Sequence, residues 1–295
     1  MGTGLASGAG HNDHINLNNL HFTNNNAGVS VYIWSDASYT SHHVTFESCL
    51  FDSSQGGLEA FSDEGVGSDS LIVRNCQFIN NLSPTGGNEA HGSYIADFKD
   101  CLYEYNTFTN NLSNGFSAGF AIDNLIFRYN TISNNGGYGF STYGIENSNV
   151  YYNFIETGGG PAFRFGNNGT ETGAPHLPYN TRFYNNTVIV HGTNFITHID
   201  GTYTNMTGLV FKNNIFYLDN HLDVYRCMML PEKLGNIHTG INTIKNARCT
   251  KCSLQCFREG SIYYQGFNST PILLKQAFNT KYWKFLKRKK LTLHP

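Results

Sequence analysis

Tyr143, Arg164, His198 and Asp200 are residues whose types suit proton transfer beside an acid group. An arginine can neutralise a carboxylate, and histidine or tyrosine can act as base or acid near neutral pH. Together they are what is needed to remove a proton from the carbon next to a carboxylate. A second set is Glu59, Asp63 and Glu64, with Glu89 and His91 close by. It offers a carboxylate pair for general acid–base cleavage, or hard oxygen ligands for Ca²⁺ through Glu59 and Asp63. Both sets also have a structural reading. Asp63, Asp97, Asp123, Glu146 and Asp200 each close a short apolar run, where a turn favours an acidic side chain.

Neither set is contiguous, so something must bring its members together. A phrase that recurs eight times does this, as in "LIVRNCQFINN", "CLYEYNTFTNN" and "LIFRYNTISNN". Aligned on its last apolar residue, it puts Phe22, Phe51, Phe78, Phe108, Ile132, Ile155, Val188 and Phe216 in one column, 23 to 33 residues apart. Recurrence at that period marks a stacked array. Two residues earlier stands a column of Leu20, Cys49, Cys76, Asn106, Asn130, Asn153, Asn186 and Asn214. Asparagine is rare in strands but tolerates the left-handed region and sharp turns. Asn130 and its equivalents are therefore expected at a bend, bonded to one another from coil to coil. Cys49 and Cys76 are expected as small buried fillers where that ladder ends.

Between inward pair and bend runs a further column: Glu47, Arg74, Glu104, Arg128, Tyr151, Tyr184, Lys212. It reads either as a surface ion ladder or as substrate contacts. A third short run follows each anchor, as in "GVSVYIWSD", "GLEAFSD" and "GFSAGFAID". Strand alternation, with Val29, Leu58, Phe116, Phe140, Phe163 and Phe195 inward, gives two outward columns. The first holds Ser30, Glu59, Tyr94, Ser117, Ser141, Arg164 and Ile196. The second holds Tyr32, Phe61, Ala96, Gly119, Tyr143, Gly166 and His198. Trp34, Asp63 and Asp200 follow at the strand ends.

A coil of two strands about an Asn bend, an apolar anchor, then Asn or Gly and a third strand resembles the right-handed parallel β-helix of the pectin-lyase-like superfamily. The resemblance covers residues 14–220 and implies an all-β solenoid of about eight three-strand coils. It also implies a polysaccharide groove along the third strand, and a lyase, epimerase or hydrolase acting on an acidic polysaccharide outside the cell or on its surface. Tyr32, Trp34, Phe61 and Tyr94, with Glu59, would then bind sugar. Arg164 would hold a carboxylate, His198 would be the base and Tyr143 the proton donor. The superfamily's Asp-Pro-Glu-Asn-Asp and paired-aspartate signatures are not present, which leaves a non-catalytic carbohydrate-binding or adhesin-type module as the alternative.

Charge divides the chain. Residues 1–226 carry seven Lys/Arg against nineteen Asp/Glu, a net −12, while residues 227–295 carry twelve against two, a net +10. An acidic body is a poor partner for nucleic acid, whose binding rests on phosphate neutralisation. The expected division is a β-helix over 1–220 and a basic appendage over 221–295. There Cys227, Cys249, Cys252 and Cys256 fit either a zinc site or disulfides. No run is long and apolar enough to span a membrane. Asn-Xaa-Ser/Thr occurs at Asn81, Asn111, Asn168, Asn185, Asn205 and Asn268, which an Asn-rich repeat produces by chance.

Overall fold

The computed structural model describes residues 12–23, 28–36, 40–63, 66–82, 90–166, 178–191, 194, 196–199 and 207–218. It also describes short strands at Asp223–Tyr225, Lys233–Asn236, Gly240–Ile241 and Gln255–Cys256. Each repeat places a short strand on either side of its bend. Ile126–Arg128 and Thr131–Ser133 flank Asn130, which is in neither. The coils stack in parallel: Ile126–Arg128 pairs with Leu102–Glu104 on one side and Asn149–Tyr151 on the other. Three sheets result, carrying the charged column, the anchors and the third run.

This is the all-β parallel solenoid that the repeat implies, with about six turns rather than eight. Eight anchor strands do stack, from His21–Thr23 to Ile215–Leu218. In the anchor sheet parallel stacking ends where Leu218 pairs with Asp223 in antiparallel fashion, while Val210–Lys212 still pairs in parallel with Gln255–Cys256.

One coil cannot bury its own apolar face, and stacking removes that limit. Phe22, Phe51, Phe78 and Phe108 lie ring on ring at 5.0, 4.5 and 4.8 Å. The last three are fully buried, at about 1.5–3 kcal/mol per large side chain. The turn beside this stack needs glycine. A Cβ on Gly92 would stand 2.5 Å from the Gly115 carbonyl oxygen and 3.0 Å from the Phe108 ring.

The Asn ladder runs unbroken. Nδ2 of Asn106, Asn130, Asn153 and Asn186 donates to Oδ1 of the next Asn at 3.1, 3.1, 3.0 and 2.9 Å, ending on Asn214. The cysteines continue it: the Cys76 N–H donates to Asn106 Oδ1 and the Cys49 N–H to Cys76 Sγ. Burial pushes the Cys76 thiol up to about 12, so it is an inert filler. The left-handed conformation, however, belongs to the residue before each ladder position, Cys76 included: Asn75, Tyr105, Tyr129, Tyr152, Asn185 and Asn213 all have φ near +55°. The ladder asparagines are there for their amides, not for their backbone. A second ladder follows the anchors, from Asn81 to Asn111 to Asn135 at 2.8 and 2.9 Å. Asn81 and Asn111, which head two of the Asn-Xaa-Ser/Thr triplets, are thus buried core residues.

The charged column is realised as a surface ion ladder. Arg74 pairs with Glu47 at 2.9 Å and Arg128 with Glu104 at 2.7 Å, partly exposed pairs of modest worth. The column then turns aromatic, with Tyr151 stacked on Tyr184 at 4.7 Å. Cys227, Cys249, Cys252 and the basic run after residue 256 lie outside the described residues, and only the strand backbone of Cys256 is described. No helix among the described residues is long and apolar enough to cross a membrane.

Candidate functional site

The third sheet stacks seven strands: Val29–Ser35, Gly56–Ser62, Ser93–Ala96, Phe116–Ala118, Phe140–Thr142, Phe163–Phe165 and Thr197–Ile199. Its register departs from the expected one at both ends. Tyr32 pairs with Glu59 and Trp34 with Phe61, where alternation put Ser30 beside Glu59 and Tyr32 beside Phe61. The face is preserved, because a shift of two residues keeps inward residues inward: Val31 and Ile33 fill the core opposite Leu58 and Ala60. Ser30 is instead buried, bonded to Ser54 at 2.8 Å. At the other end Thr197, not Phe195, pairs with Phe163, which sets His198 directly beside Arg164. The outward column therefore reads Tyr32, Glu59, Tyr94, Ser117, Ser141, Arg164, His198.

At its far end this column builds a compact polar cluster. Arg164 Nη1 donates to the Tyr143 hydroxyl at 2.5 Å. Its guanidinium carbon lies 4.7 Å from the Tyr143 ring centre and 5.1 Å from that of Tyr138. The cation is thus held by two aromatic faces, an attractive arrangement that also fixes its plane. Tyr138 reaches on along the axis, its hydroxyl 2.9 Å from His198 Nδ1. That contact orients the exposed imidazole and leaves Nε2 directed elsewhere.

His91 and Tyr94 border the cluster. The Asn114 N–H donates to His91 Nδ1 at 3.3 Å, so the ring proton resides on Nε2. Burial, and secondarily the Arg164 charge, lowers the His91 pKa to about 4. At neutral pH it adds no positive charge, and Arg164 is the fixed cation of the group. Tyr94 stacks on His91, ring centres 6.0 Å apart. Its hydroxyl occupies the space a side chain at position 119 would take, 2.5 Å from a Cβ built on Gly119.

Tyr143, Arg164 and His198 are therefore brought together, while Asp200 lies outside the described residues. Sequence reasoning missed Tyr138. Its only signal is an aromatic inside the glycine turn "GGYGF", and nothing in the residue pattern tells that it reaches two coils further. The second set is not assembled. Glu59 lies within the strand Gly56–Ser62 and Asp63 follows its end, so four extended residues separate them by about 13 Å. That is too far to share one cation. Asp63 instead faces the Trp34 indole N–H at 3.5 Å, and Glu64 and Glu89 lie outside the described residues. Among the described residues no three His, Cys, Asp or Glu side chains converge to hold a metal. Trp34 and Tyr32 remain exposed at this end, and Phe61 sets its ring edge-on to Phe120.

No protein-family profile matches the chain, and no curated protein matches it. Among solved structures, the chain is similar to the A-module of the Azotobacter vinelandii mannuronan C-5 epimerase AlgE4, with 12% identity and a TM-score of 0.38, over 64% of this chain and 59% of that one. For the AlgE6 A-module of the same organism the values are 16%, 0.40, 65% and 61%. For an alginate lyase from Paenibacillus sp. str. FPU-7 they are 10%, 0.38, 67% and 76%. The chain thus spans about three-fifths of each epimerase module.

Proposed function

We propose that the third-sheet face binds an acidic polysaccharide outside the cell or on its surface, and that the cluster around Arg164 abstracts the proton beside a uronate carboxylate. The observation that supports this reading is a single guanidinium held between two tyrosine rings, with an oriented imidazole one strand away. Loss of that proton builds negative charge on the carboxylate, and a preorganised cation stabilises it as it forms. In the tautomer that carries its proton on Nδ1, bonded to the Tyr138 oxygen, His198 acts as the base through Nε2. It takes the proton and becomes imidazolium. In a lyase, the electron pair left on carbon forms the new double bond and the glycosidic C–O bond breaks. The Tyr143 phenol protonates the departing oxygen. In an epimerase the same carbanion is reprotonated from the opposite face, and the chain stays intact.

Hydrolysis is the weaker branch. It calls for two carboxyl groups across one glycosidic bond, and Glu59 and Asp63 do not sit that way. Tyr32, Trp34, Phe61 and Tyr94 would line the path of the chain toward the cluster. Exposed Trp34 and Tyr32 lie at the end away from the Arg164 cluster, which favours a binding role there and gives the non-catalytic module its best support.

A panel of pectate, alginate and glycosaminoglycans tests the reading. Cleavage by a lyase leaves an unsaturated end that absorbs at the ultraviolet edge, and epimerisation changes the sugar proton spectrum without shortening the chain. Either signal is expected to vanish in His198→Ala. Binding without either signal would establish the module instead.

A further inference from the structure

Ser141 faces the groove yet is completely buried, and its hydroxyl has no hydrogen-bond partner among the described residues. Such a group is costly and calls for a reason. Thr142 is also unpartnered, but it alternates to the core side, between Ala118 and Phe165, where no ligand enters. Ser141 lies on the opposite face, in register with Arg164.

What covers Ser141 follows from the cluster. Tyr138 and Tyr143 flank the two ends of the strand Phe140–Thr142, and the Arg164 guanidinium lies between their rings. The residue of that strand facing the same side between them is Ser141. Arg164 from the next coil therefore folds back over it, fastened by its bond to Tyr143.

We infer that Ser141 is a specificity-determining hydroxyl, uncovered when a ligand carboxylate draws Arg164 away from Tyr143. The inference rests on the uronate reading above. A guanidinium prefers a carboxylate to a phenol, since two parallel bonds to a full negative charge replace one bond to a neutral oxygen. As the guanidinium rises to meet the anion, the hydroxyl beneath it is freed to donate to the second carboxylate oxygen. The ligand so recognised is a sugar acid: a neutral hexose offers nothing to lift the arginine.

The experiment compares the full chain with Ser141→Ala by calorimetric titration against galacturonate and mannuronate hexamers and their carboxyl-reduced counterparts, with thermal unfolding in parallel. Ser141→Ala is expected to weaken uronate binding about tenfold, as loss of a hydrogen bond to a charged group does. Binding of the reduced oligomers should not change. The unfolding midpoint should stay the same or rise, because an unpaired buried hydroxyl has been removed. A midpoint several degrees lower would make Ser141 a structural residue and overturn the inference, as would equal uronate affinity in both proteins. If the wild type binds no uronate at all, the functional reading falls with it.

Discussion

The Arg164 guanidinium lies 5.1 Å from the Tyr138 ring centre while it donates to the Tyr143 hydroxyl at 2.5 Å, so two tyrosines from one coil hold an arginine from the next. Charge alone would not need this. Planarity would, because a flat guanidinium stacks on rings and presents paired donors to a carboxylate, whereas an ammonium does neither. Arg164→Lys should therefore weaken uronate binding by about tenfold or more, nearly as much as Arg164→Ala. Titration with uronate oligomers checks this, and a lysine variant that binds like the wild type would reduce the site to a point charge.

On the proposed mechanism, Tyr138 acts through His198, by orienting its imidazole. Removing its hydroxyl leaves the ring under Arg164 but takes away the bond to Nδ1 that helps orient the imidazole. Tyr138→Phe should lower kcat about tenfold with KM little changed, the split expected when a base is mispositioned. A raised KM with kcat intact would assign Tyr138 to binding.

Asn130 makes the clearest stability prediction. Its amide donates to the Tyr103 carbonyl and to Asn153, and its oxygen accepts from the Asn106 backbone and side chain. Asn130→Ala strands several buried groups at about 1–3 kcal/mol each, for a loss of roughly 3–5 kcal/mol in urea unfolding. Asn130→Cys should cost less, because Cys76 already serves the same column as an acceptor from Cys49.

How far the sequence shows this can be read from individual residues. Periodicity exposes the anchors, since Phe78 and Phe108 recur in the same phrase, and it exposes the ladder through Asn130 and its equivalents. It also fixes which side of the third strand faces out, because alternation survives a shift of two. The shift itself depends on how many residues each loop spends before its strand begins, and no local propensity encodes that. Hence His198 was expected diagonal to Arg164 and lies beside it. Tyr138 escaped notice for a related reason, as a long side chain leaving a turn makes contacts two coils away that spacing does not record.

The exposed Tyr105, Tyr129 and Tyr152 form a separate stack, with ring centres 5.0 and 5.3 Å apart. Each occupies a left-handed position that a bulky residue rarely adopts. Facing rings cover one another and present mainly edges to water, so this is a strap across the turns, not a sugar platform. Other coils use Asn75, Asn185 and Asn213 at that place. Tyr129→Asn should thus stay within about 1 kcal/mol of wild type, strain relief offsetting lost stacking. Tyr129→Ala, which keeps the strain and loses both contacts, should be clearly less stable in the same urea titration.

His91 gives the fold a dependence on acidity whose sign can be worked out. In the unfolded chain its imidazole takes a proton near 6.5, but in the fold burial, with Arg164 adding to it, delays this to about 4. Between those values the unfolded state holds more protons, so stability falls as the pH falls. The contribution is fully present above about pH 6.5 and gone below about pH 4. A difference of about 2.5 units corresponds to about 3 kcal/mol. His91→Asn cannot titrate, and its urea midpoint should change less than that of the wild type between pH 7 and pH 4.5. The groups facing His91 sharpen the test: the Asn114 N–H occupies Nδ1 and Tyr94 stacks on the ring, so a second proton must displace a backbone donor beside a cation. Parallel pH curves for the two proteins would show that the imidazole is already solvated in the fold.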